Sequence, residues 1–505
     1  MLNIIKEYVF YPTNLIINYK YQVFKRLVSN QKNTVTKNNT LKQEIPVVRG
    51  LPLVGTTFSI IAAGGGRKLH EYIDKQHKKY GPVFREKFVS VDAIWISNPN
   101  DMKLIFAQEG KYARHVLPEA WLLYNETYGQ QRGLYFMDGE EWWTYRKILN
   151  KFLFSEINNN YIFESSKLIL NEILKEWENN NDGLIQHLEA DLYKISISFM
   201  VAYLVGNAFK SCRKEILSDI NNLAHNIQEI FKNSVKFTVI PAKTAKLFKL
   251  KIWNDFVKSV NDSMKYANNL VTKLMEYEGD GLLKSISSIH NISDDMIKRL
   301  IIDFILAAGD TTAYSTQWTL YSLGLHPIIQ DNLRQSLCTN NFWENDYLNN
   351  ILKEVLRLYP LAPFLTRILS NDTFLTHHVI PAHSLVILSM FSSSRNEKYF
   401  KNSNEFKPDR WLRLENNKYC GEFKPDRWLR LENNKYCGVN EPFASLPFGF
   451  GARSCIGQKM AHIQMCSTIS ECIKKYKIKT MKPVSIVLDL ITVPDEQIQL
   501  KLQKL

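Results

Sequence analysis

The amino-terminal 43 residues lack a long hydrophobic run and have almost no acidic side chains. No apolar stretch of about 18 residues occurs there, so the sequence predicts no transmembrane anchor at this end. The segment carries seven Lys or Arg and a single acid, Glu7, while Ile16, Tyr19, Val23 and Leu27 fall on one helical face. Such a basic, acid-poor, amphipathic composition is typical of a mitochondrial targeting segment; a disordered basic tail is the alternative.

Cysteine is also scarce, and nucleic-acid-binding motifs are missing. The seven cysteines are an odd number without framework spacing, which argues against an extracellular disulfide scaffold and for a reducing compartment. The net charge of +14 is spread along the chain and no zinc finger accompanies it, so no nucleic acid partner is predicted. An acidic protein partner or an anionic membrane surface accounts better for the positive charge.

The most informative stretch that is present runs over residues 448–457 and holds Cys455 in a glycine-rich loop. Glycines permit positive φ, so the loop can turn backbone N–H groups toward the sulfur. The next residues predict a helix, whose N-terminal dipole favours a thiolate, and Arg453 adds a cation suited to a carboxylate or propionate. A thiolate held this way can be a nucleophile, a redox sensor or a metal ligand; a buried structural cysteine is the plain alternative.

Phe448, Gly451, Arg453, Cys455 and Gly457 together reproduce the haem-ligand pattern of cytochromes P450, and the chain from about residue 45 onward resembles that family. The resemblance implies the cytochrome P450 fold, mainly α with small β-sheets. It implies a haem domain over residues 44–505, after a targeting segment at 1–43. It also implies heme b (haem b) held by the axial thiolate of the cysteine, a ligand that favours O–O cleavage.

Further haem contacts are implied by three other side chains. Trp142 and Arg146 lie at i and i+4 on one face of a predicted helix. They resemble the family's W-x-x-x-R element, which hydrogen-bonds a haem propionate, although a buried Trp beside a surface Arg is a common structural pair. Arg367 resembles the strand arginine that reaches the other propionate.

The apolar run over residues 300–312 ends in Asp310 and Thr311. Burying such polar groups costs about 1–3 kcal/mol each unless they find partners. Thr311 can divert its hydroxyl from the helix ladder and open a kink that holds water. The run resembles the oxygen-activating helix of P450s, in which this acid–threonine pair would be catalytic and relay protons. Ala308 stands where the family often has glycine, which bears on the kink.

Glu354 and Arg357 form the E-x-x-R pair of the family, which the resemblance places behind the haem in a network with a third, arginine residue. Residues 405–421 are repeated identically at 422–438, so two arginines, Arg410 and Arg427, compete for that place. Two such copies are too few and too short for a repeat architecture and are read as a 17-residue insertion. The spacing to the cysteine stretch favours Arg427, whereas the spacing from the upstream strand favours Arg410; we take Arg427 as the expected network residue and Arg410 as its rival.

Local patterns predict a helix over residues 68–80 and strands over 83–88 and 93–97. Residues 156–300 are mostly helical in pattern. The basic and apolar segment 231–251 would correspond to the substrate-access roof of the family. It predicts either a membrane-dipping surface or an ordinary amphipathic one.

Residues 139–142 and 443–449 look like the mitochondrial clan of P450s, and residues 307–318 are similar to the insect Shadow type, which hydroxylates C2 of an ecdysteroid precursor. The resemblance implies a monooxygenase on the matrix side of the inner mitochondrial membrane, in peripheral membrane contact. It would use O2 and electrons from an acidic, adrenodoxin-like ferredoxin with its NADPH-dependent reductase. Of the family's two ferredoxin-docking lysines Lys353 matches one, whereas Asn349 replaces the other.

Several alternatives stay open. The substrate could be another sterol or a xenobiotic instead of an ecdysteroid. A haem-thiolate isomerase or dehydratase typically loses the acid–threonine pair, which this chain keeps. A haem-binding protein without monooxygenase activity, or a product inactivated by the duplication, would show no donor-dependent turnover.

Overall fold

The computed structural model describes residues 43–88, 91–153, 159–178, 183–290, 292–338, 345–415, 418–419, 435–436 and 438–505. The predicted targeting segment lies outside these residues, apart from residue 43, and so does Arg427. The described part is mainly α-helical with small sheets, which confirms the predicted fold class.

Sixteen helices are present among the described residues. They are α1 Thr57–Ala62, α2 Leu69–Tyr80, α3 Pro99–Gln108, α4 Glu119–Tyr128, α5 Gly139–Leu153, α6 Asn159–Glu178, α7 Leu188–Val205, α8 Phe209–Ser234, α9 Ala242–Leu247, α10 Lys251–Glu276, α11 Leu282–Ser287, α12 Asp294–Leu325, α13 Pro327–Ser336, α14 Asp346–Leu358, α15 Met390–Ser394 and α16 Gln458–Lys475. Short 3-10 turns lie at Gly66–Lys68, Gly206–Ala208, Val235–Thr238, Pro408–Trp411 and Pro442–Ala444.

The strands form one larger sheet and several two- or three-stranded ones. They are β1 Val83–Phe88, β2 Val91–Ile96, β3 Phe364–Ile368, β4 Thr373–Phe374, β5 Val379–Ile380, β6 Leu385–Ser389, β7 Arg413–Glu415, β8 Lys418–Tyr419, β9 Lys435–Tyr436, β10 Tyr476–Thr480, β11 Ile486–Asp489, β12 Ile491–Pro494 and β13 Leu500–Lys504. The larger sheet has the order β1-β2-β6-β3, with β2 and β6 parallel and the other two pairs antiparallel. Its last strand carries Arg367 opposite Val386.

The helical core is built around α12, which packs against α7 on one side and α16 on another. Nearly every residue of α7 is buried, because apolar side chains surround this helix rather than forming one stripe. The stretch Leu188–Thr238 is long and apolar enough to span a membrane, but most of its apolar window is buried inside the protein. We therefore read α7 as a core helix.

The local predictions are confirmed in type and nearly in extent. The helix predicted over 68–80 is α2, which ends where Gly81 adopts a φ of +96°. Strand β1 has the predicted bounds, and β2 begins two residues earlier and ends one residue earlier than predicted. Two other elements reach the cysteine loop described next: β3 carries Arg367, and Glu109 follows the last residue of α3.

Candidate haem site

The cysteine loop is a tight turn that leads directly into α16. The Cys455 N–H donates to the Phe448 carbonyl oxygen at 2.8 Å, which closes the loop. Gly449 and Gly451 have φ values of +68° and +79°, a region that other residues rarely adopt. Gly457 caps the start of α16. The loop therefore has the geometry that the glycine pattern predicts.

The electrostatics of the thiol differ from the sequence-based expectation. Burial raises the pKa of the Cys455 thiol, while the Gly457 N–H and the Arg146 guanidinium act in the opposite direction. The predicted N–H and cation are thus present, but desolvation outweighs them. Such a thiol is poorly suited to be a free nucleophile. It suits a metal ligand, because a bound metal ion itself deprotonates the coordinating thiol.

Glu109, at the end of α3, stabilises the cysteine loop although it is not part of the cysteine motif. Its carboxylate accepts the Ala452 N–H at 2.7 Å and the Arg367 Nε–H at 2.6 Å. A Cβ at Gly451 would lie only 2.1 Å from Glu109 Oε1, so a side chain at this position would have to displace the Glu109 carboxylate. Sequence reasoning missed Glu109, because it lies more than 300 residues away from the loop and belongs to no motif.

The three predicted propionate arginines converge on the same loop. Arg146 donates to the Ser454 carbonyl oxygen at 2.7 Å, and Arg367 donates to the Phe450 carbonyl oxygen at 3.1 Å. Arg453 donates to the Ala113 carbonyl oxygen at 2.8 Å and pairs with Asp138.

The predicted partner Trp142 is buried directly beside these arginines. The Arg453 guanidinium carbon lies 4.1 Å from the centre of the Trp142 ring. Burial lowers the pKa of both Arg146 and Arg453 to about 10. Burial makes both charged side chains less stable, and a nearby anion would offset that cost. The two arginines therefore favour a site that binds anionic groups.

An interior cleft lies beside the cysteine loop. The Cys455 side chain is accessible although protein surrounds it, and so is that of Tyr135, which is 54% exposed. On the buried central helix α12, Ala307 and Thr311 are exposed one turn apart. Since α12 packs against α16, the helix that follows Cys455, we infer that these accessible faces line one interior space.

Asp310 and Thr311 occupy different environments on α12. Thr311 faces the cleft and its hydroxyl donates to the Ala307 carbonyl oxygen at 2.8 Å. Asp310 is buried, and neither of its carboxylate oxygens has a hydrogen-bond partner among the described residues. Burial first, and then the negative charges of Glu189 and Asp489, raise the pKa of Asp310 well above its ordinary value.

Thr311 makes the side-chain hydrogen bond on which the expectation of a kink rests. Helix α12 runs from Asp294 to Leu325, and the Thr311 hydroxyl bonds back to the carbonyl oxygen of the preceding turn. Back-bonding of this kind often bends a helix, so the kink at Thr311 stays a prediction.

Glu354 and Arg357 form a fully buried ion pair at 2.8 Å. Glu354 accepts two N–H groups of Arg357, Nε at 2.9 Å and Nη2 at 2.8 Å. It also accepts the Arg410 Nε–H at 2.8 Å and the Trp411 Nε1–H at 2.9 Å. The two arginines and Trp411 are therefore all hydrogen-bonded to Glu354 in a buried setting. A buried ionic network needs such hydrogen bonds, because they offset the cost of removing its charges from water.

The third member of the network is therefore Arg410, the alternative that the sequence left open, while the preferred Arg427 lies outside the described residues. Backbone carbonyl groups just upstream of the first copy hold the Arg410 guanidinium in this place. Arg410 Nη1 donates to the Lys401 carbonyl oxygen at 2.6 Å and Nη2 donates to the Asn402 carbonyl oxygen at 3.1 Å.

The last residues of the second copy of the duplicated segment also contact this network. Strand β7 of the first copy pairs with β8 of the same copy and, on its other edge, with β9 of the second copy. The Tyr436 ring packs against the Trp411 ring at 5.7 Å, and the Gly438 N–H donates to the Arg410 carbonyl oxygen at 3.2 Å. Both copies thus contribute described residues to one cluster.

The residues present fit a haem group. The Arg146 Nε atom is buried and has no hydrogen-bond partner among the described residues. Arg146 itself contacts a carbonyl oxygen, and no carboxylate pairs with it among the described residues. A thiol in an interior cleft, with three arginines around it of which one keeps a buried Nε without a hydrogen-bond partner among the described residues, is a site of the haem-thiolate class.

Comparison with known sequences identifies the family. The cytochrome P450 family model matches residues 45–502, and the chain belongs to the cytochrome P450 family. Members of this family are monooxygenases that bind haem through a cysteine thiolate. The description of this chain as a P450 enzyme and the prediction of a haem cofactor are thereby confirmed.

The curated relatives include several mitochondrial enzymes. The chain is 33% identical over 483 residues to "Cytochrome P450 315a1, mitochondrial" of Drosophila melanogaster, covering 91% of this chain and 88% of the relative. It is 27% identical to the "Cholesterol side-chain cleavage enzyme, mitochondrial" of Hypanus americanus, covering 84% and 83%. It is also 27% identical to the "1,25-dihydroxyvitamin D(3) 24-hydroxylase, mitochondrial" of Rattus norvegicus, covering 92% and 89%.

Proposed function

We propose that this protein is a mitochondrial steroid hydroxylase of the Shadow type, which adds a hydroxyl group at C2 of an ecdysteroid precursor. The observation that carries the proposal is the interior cleft between Cys455 and the Thr311 face of α12. The similarity of residues 307–318 to that insect type and the 33% identity to the Drosophila melanogaster relative support the finer assignment. The relatives named for cholesterol and vitamin D favour another sterol as the alternative substrate.

In this proposal Cys455 ligates the haem iron and the surrounding side chains hold the haem. Arg146, Arg367 and Arg453 would bind its propionates, with Trp142 beside them, while Phe448 and Gly457 shape the loop. The haem supplies the activation of dioxygen, and the protein supplies orientation and protons. Since all three arginines already converge on the cysteine loop, they need little rearrangement for this role.

The catalytic roles fall to Thr311 and Asp310. Thr311 faces the cleft and would hold a proton-donating hydroxyl at the reacting oxygen. Asp310, whose protonated form is favoured by burial, would replace the proton that Thr311 donates. Glu354, Arg357 and Arg410 would serve the loop as a structural network and touch neither substrate nor haem.

An acidic ferredoxin is the proposed electron donor, docking on the cysteine side of the protein. Lys353 lies close enough to α16 to lower the pKa of His462, and Lys459 is one turn before that histidine. Two cations therefore flank the helix that follows Cys455. Charge reversal by Lys353→Glu or Lys459→Glu should weaken ferredoxin binding, whereas Lys477→Glu on β10 should not. Equal binding by all three variants would rule out this docking surface.

Peripheral membrane contact is proposed for the surface around α9. Leu247 and Phe248 are 75% and 68% exposed, and Lys246 and Lys249 lie next to them in the chain. Apolar side chains among cations suit an anionic membrane surface. Replacing both apolar residues by serine should reduce sedimentation with vesicles that contain cardiolipin; unchanged sedimentation would contradict the contact.

The haem assignment is tested by a difference spectrum of the reduced protein with carbon monoxide. Wild type should give the band of thiolate-ligated haem, and Cys455→Ala should lose it. Cys338→Ala is the matched control, because that exposed cysteine lies on the loop after α13. No haem band in the wild type, or an unchanged band in Cys455→Ala, would refute the proposed ligand.

The substrate is tested with 2-deoxyecdysone, ferredoxin, its reductase and NADPH. A 2-hydroxylated product supports the Shadow-type assignment. Turnover of cholesterol or a vitamin D sterol instead would favour the alternative, and would leave the monooxygenase assignment intact.

Fusing residues 1–43 to a reporter tests the predicted targeting segment, since import and cleavage by mitochondria are expected. A cytosolic reporter would favour a basic tail. The predicted matrix-side location at the inner membrane would be tested by protease protection after the outer membrane is opened.

A further inference from the structure

A line of protonatable side chains leads from the protein surface toward Asp310. Tyr314 lies one helical turn after Asp310 on α12, and its hydroxyl donates to Glu189 Oε1 at 2.6 Å. The tyrosine is buried, whereas Glu189 is only half-buried in the first turn of α7. The pair therefore connects the solvent side of α7 to the turn of α12 that carries Asp310.

Asp310 is the inner end of this line, and no hydrogen-bond partner among the described residues competes for its carboxyl group. Both oxygens of Asp310 are buried without a hydrogen-bond partner among the described residues. The charged groups that face it are Glu189 from α7 and Asp489 from β11, and Asp489 is itself paired with Arg67 at 2.9 Å. On the α8 side the neighbouring Gly309 meets the apolar Ile227. Burial and these two negative charges therefore favour the protonated form of Asp310 by raising its pKa.

We propose that Tyr314 and Glu189 form the proton-uptake path that reloads Asp310 during turnover. In the structure the Tyr314 O–H is donated to Glu189, so the step begins when this O–H rotates toward the Asp310 carboxylate. A protonated Glu189 then gives its proton to the Tyr314 oxygen, while the Tyr314 O–H gives its own proton to the Asp310 carboxylate. The net change is one proton moved from Glu189 to Asp310, and the hydrogen bond between Tyr314 and Glu189 reverses its direction. Both residues act through Asp310 and neither touches the substrate. This inference rests on the proposed role of Asp310 as a proton donor.

The fold offers a matched control for the tyrosine. Tyr193 on α7 is buried and its ring packs edge-on against Tyr314 with ring centres 5.8 Å apart. Its hydroxyl has no hydrogen-bond partner among the described residues and no link to Glu189. Tyr193→Phe therefore removes a buried hydroxyl from the same cluster without breaking the path.

The experiment follows the acid proton itself by infrared spectroscopy of the resting protein. The band of a protonated carboxyl that disappears in Asp310→Asn is assigned to Asp310, and its shift after transfer into D2O gives the exchange rate. Tyr314→Phe and Glu189→Gln should slow this exchange by about 10²-fold, the low end of the effect of a positioned proton-transfer group. Tyr193→Phe should exchange at the wild-type rate.

Three results would overturn the inference. They are the absence of an Asp310 band, wild-type exchange in Tyr314→Phe, and slowing in Tyr193→Phe equal to that in Tyr314→Phe. If Tyr314→Phe fails to fold, the rate in Glu189→Gln decides, because glutamine keeps the acceptor oxygen for Tyr314. The carbon monoxide spectrum of each variant reports separately on the haem-thiolate assignment, so failure of the path and failure of the proposed function remain distinguishable.

Discussion

Arg410 Nε lies 2.8 Å from Glu354 Oε1, although an identical arginine, Arg427, follows 17 residues later in an identical sequence. The chain therefore uses the first copy to complete the buried network behind the cysteine loop. Glu354 has its acceptor positions filled by Arg357, Arg410, Trp411 and the Lys407 N–H. The duplicated arginine has no place left at this carboxylate.

Arg410→Ala should destabilise the protein by about 3–5 kcal/mol, because it leaves the buried Glu354 carboxylate short of a cation. Arg427→Ala should leave the free energy of unfolding unchanged, since Arg410 already occupies the position. Urea unfolding followed by tryptophan fluorescence measures both. Equal losses in the two variants, or a larger loss in Arg427→Ala, would mean that the second copy completes the network.

Deleting residues 418–434 restores a single copy and should preserve haem binding. Arg410 and Trp411 come from the first copy, and Tyr436 and Gly438 already contact them from the second. In the deletion variant only two residues, 416 and 417, would separate β7 from β9, which is a common hairpin length. Haem content per protein, read from the carbon monoxide spectrum, should equal that of wild type. Loss of haem would show that the insertion is required.

Gly451→Ala should abolish haem uptake, because the new Cβ would sit 2.1 Å from Glu109 Oε1. The control is Gly129→Ala after α4, where φ is also positive but no atom lies within 4 Å. That control isolates the cost of the backbone conformation, about 1–2 kcal/mol. Haem content separates the two effects, and equal haem content in both variants would contradict the proposed stabilisation of the loop by Glu109.

Asp310→Asn should stabilise the protein at neutral pH while it removes the proposed proton donor. The folded-state pKa of Asp310 is raised, so the unfolded carboxyl ionises first as the pH increases. Wild type therefore loses stability relative to Asp310→Asn from about pH 4 upward, by up to about 1.4 kcal/mol per pH unit until the folded pKa is reached. Urea unfolding at a series of pH values measures this difference. A difference that shrinks with increasing pH would contradict the buried neutral acid.

The amino-acid sequence by itself determined the family and most of the site. The cysteine loop, the Trp142–Arg146 pair, the E-x-x-R pair and the acid–threonine pair are local patterns. Their spacing along the chain sets their chemistry, because loop glycines and helical i, i+3 and i+4 positions act over a few residues. The same locality explains why the helix α2 and the strands β1 and β2 were predicted nearly in full.

Only the tertiary structure decided which groups meet across the chain. It placed Arg410 at Glu354. The sequence could not decide between Arg410 and Arg427, because the two copies are identical and differ only in their position along the chain. The tertiary structure brought Glu109 to the cysteine loop, and it separated the buried Asp310 from the cleft-facing Thr311, which are neighbours in sequence. It also decided that the pKa of the Cys455 thiol is raised and not lowered. The reason is that desolvation depends on how much protein surrounds a group and not on its neighbours along the chain.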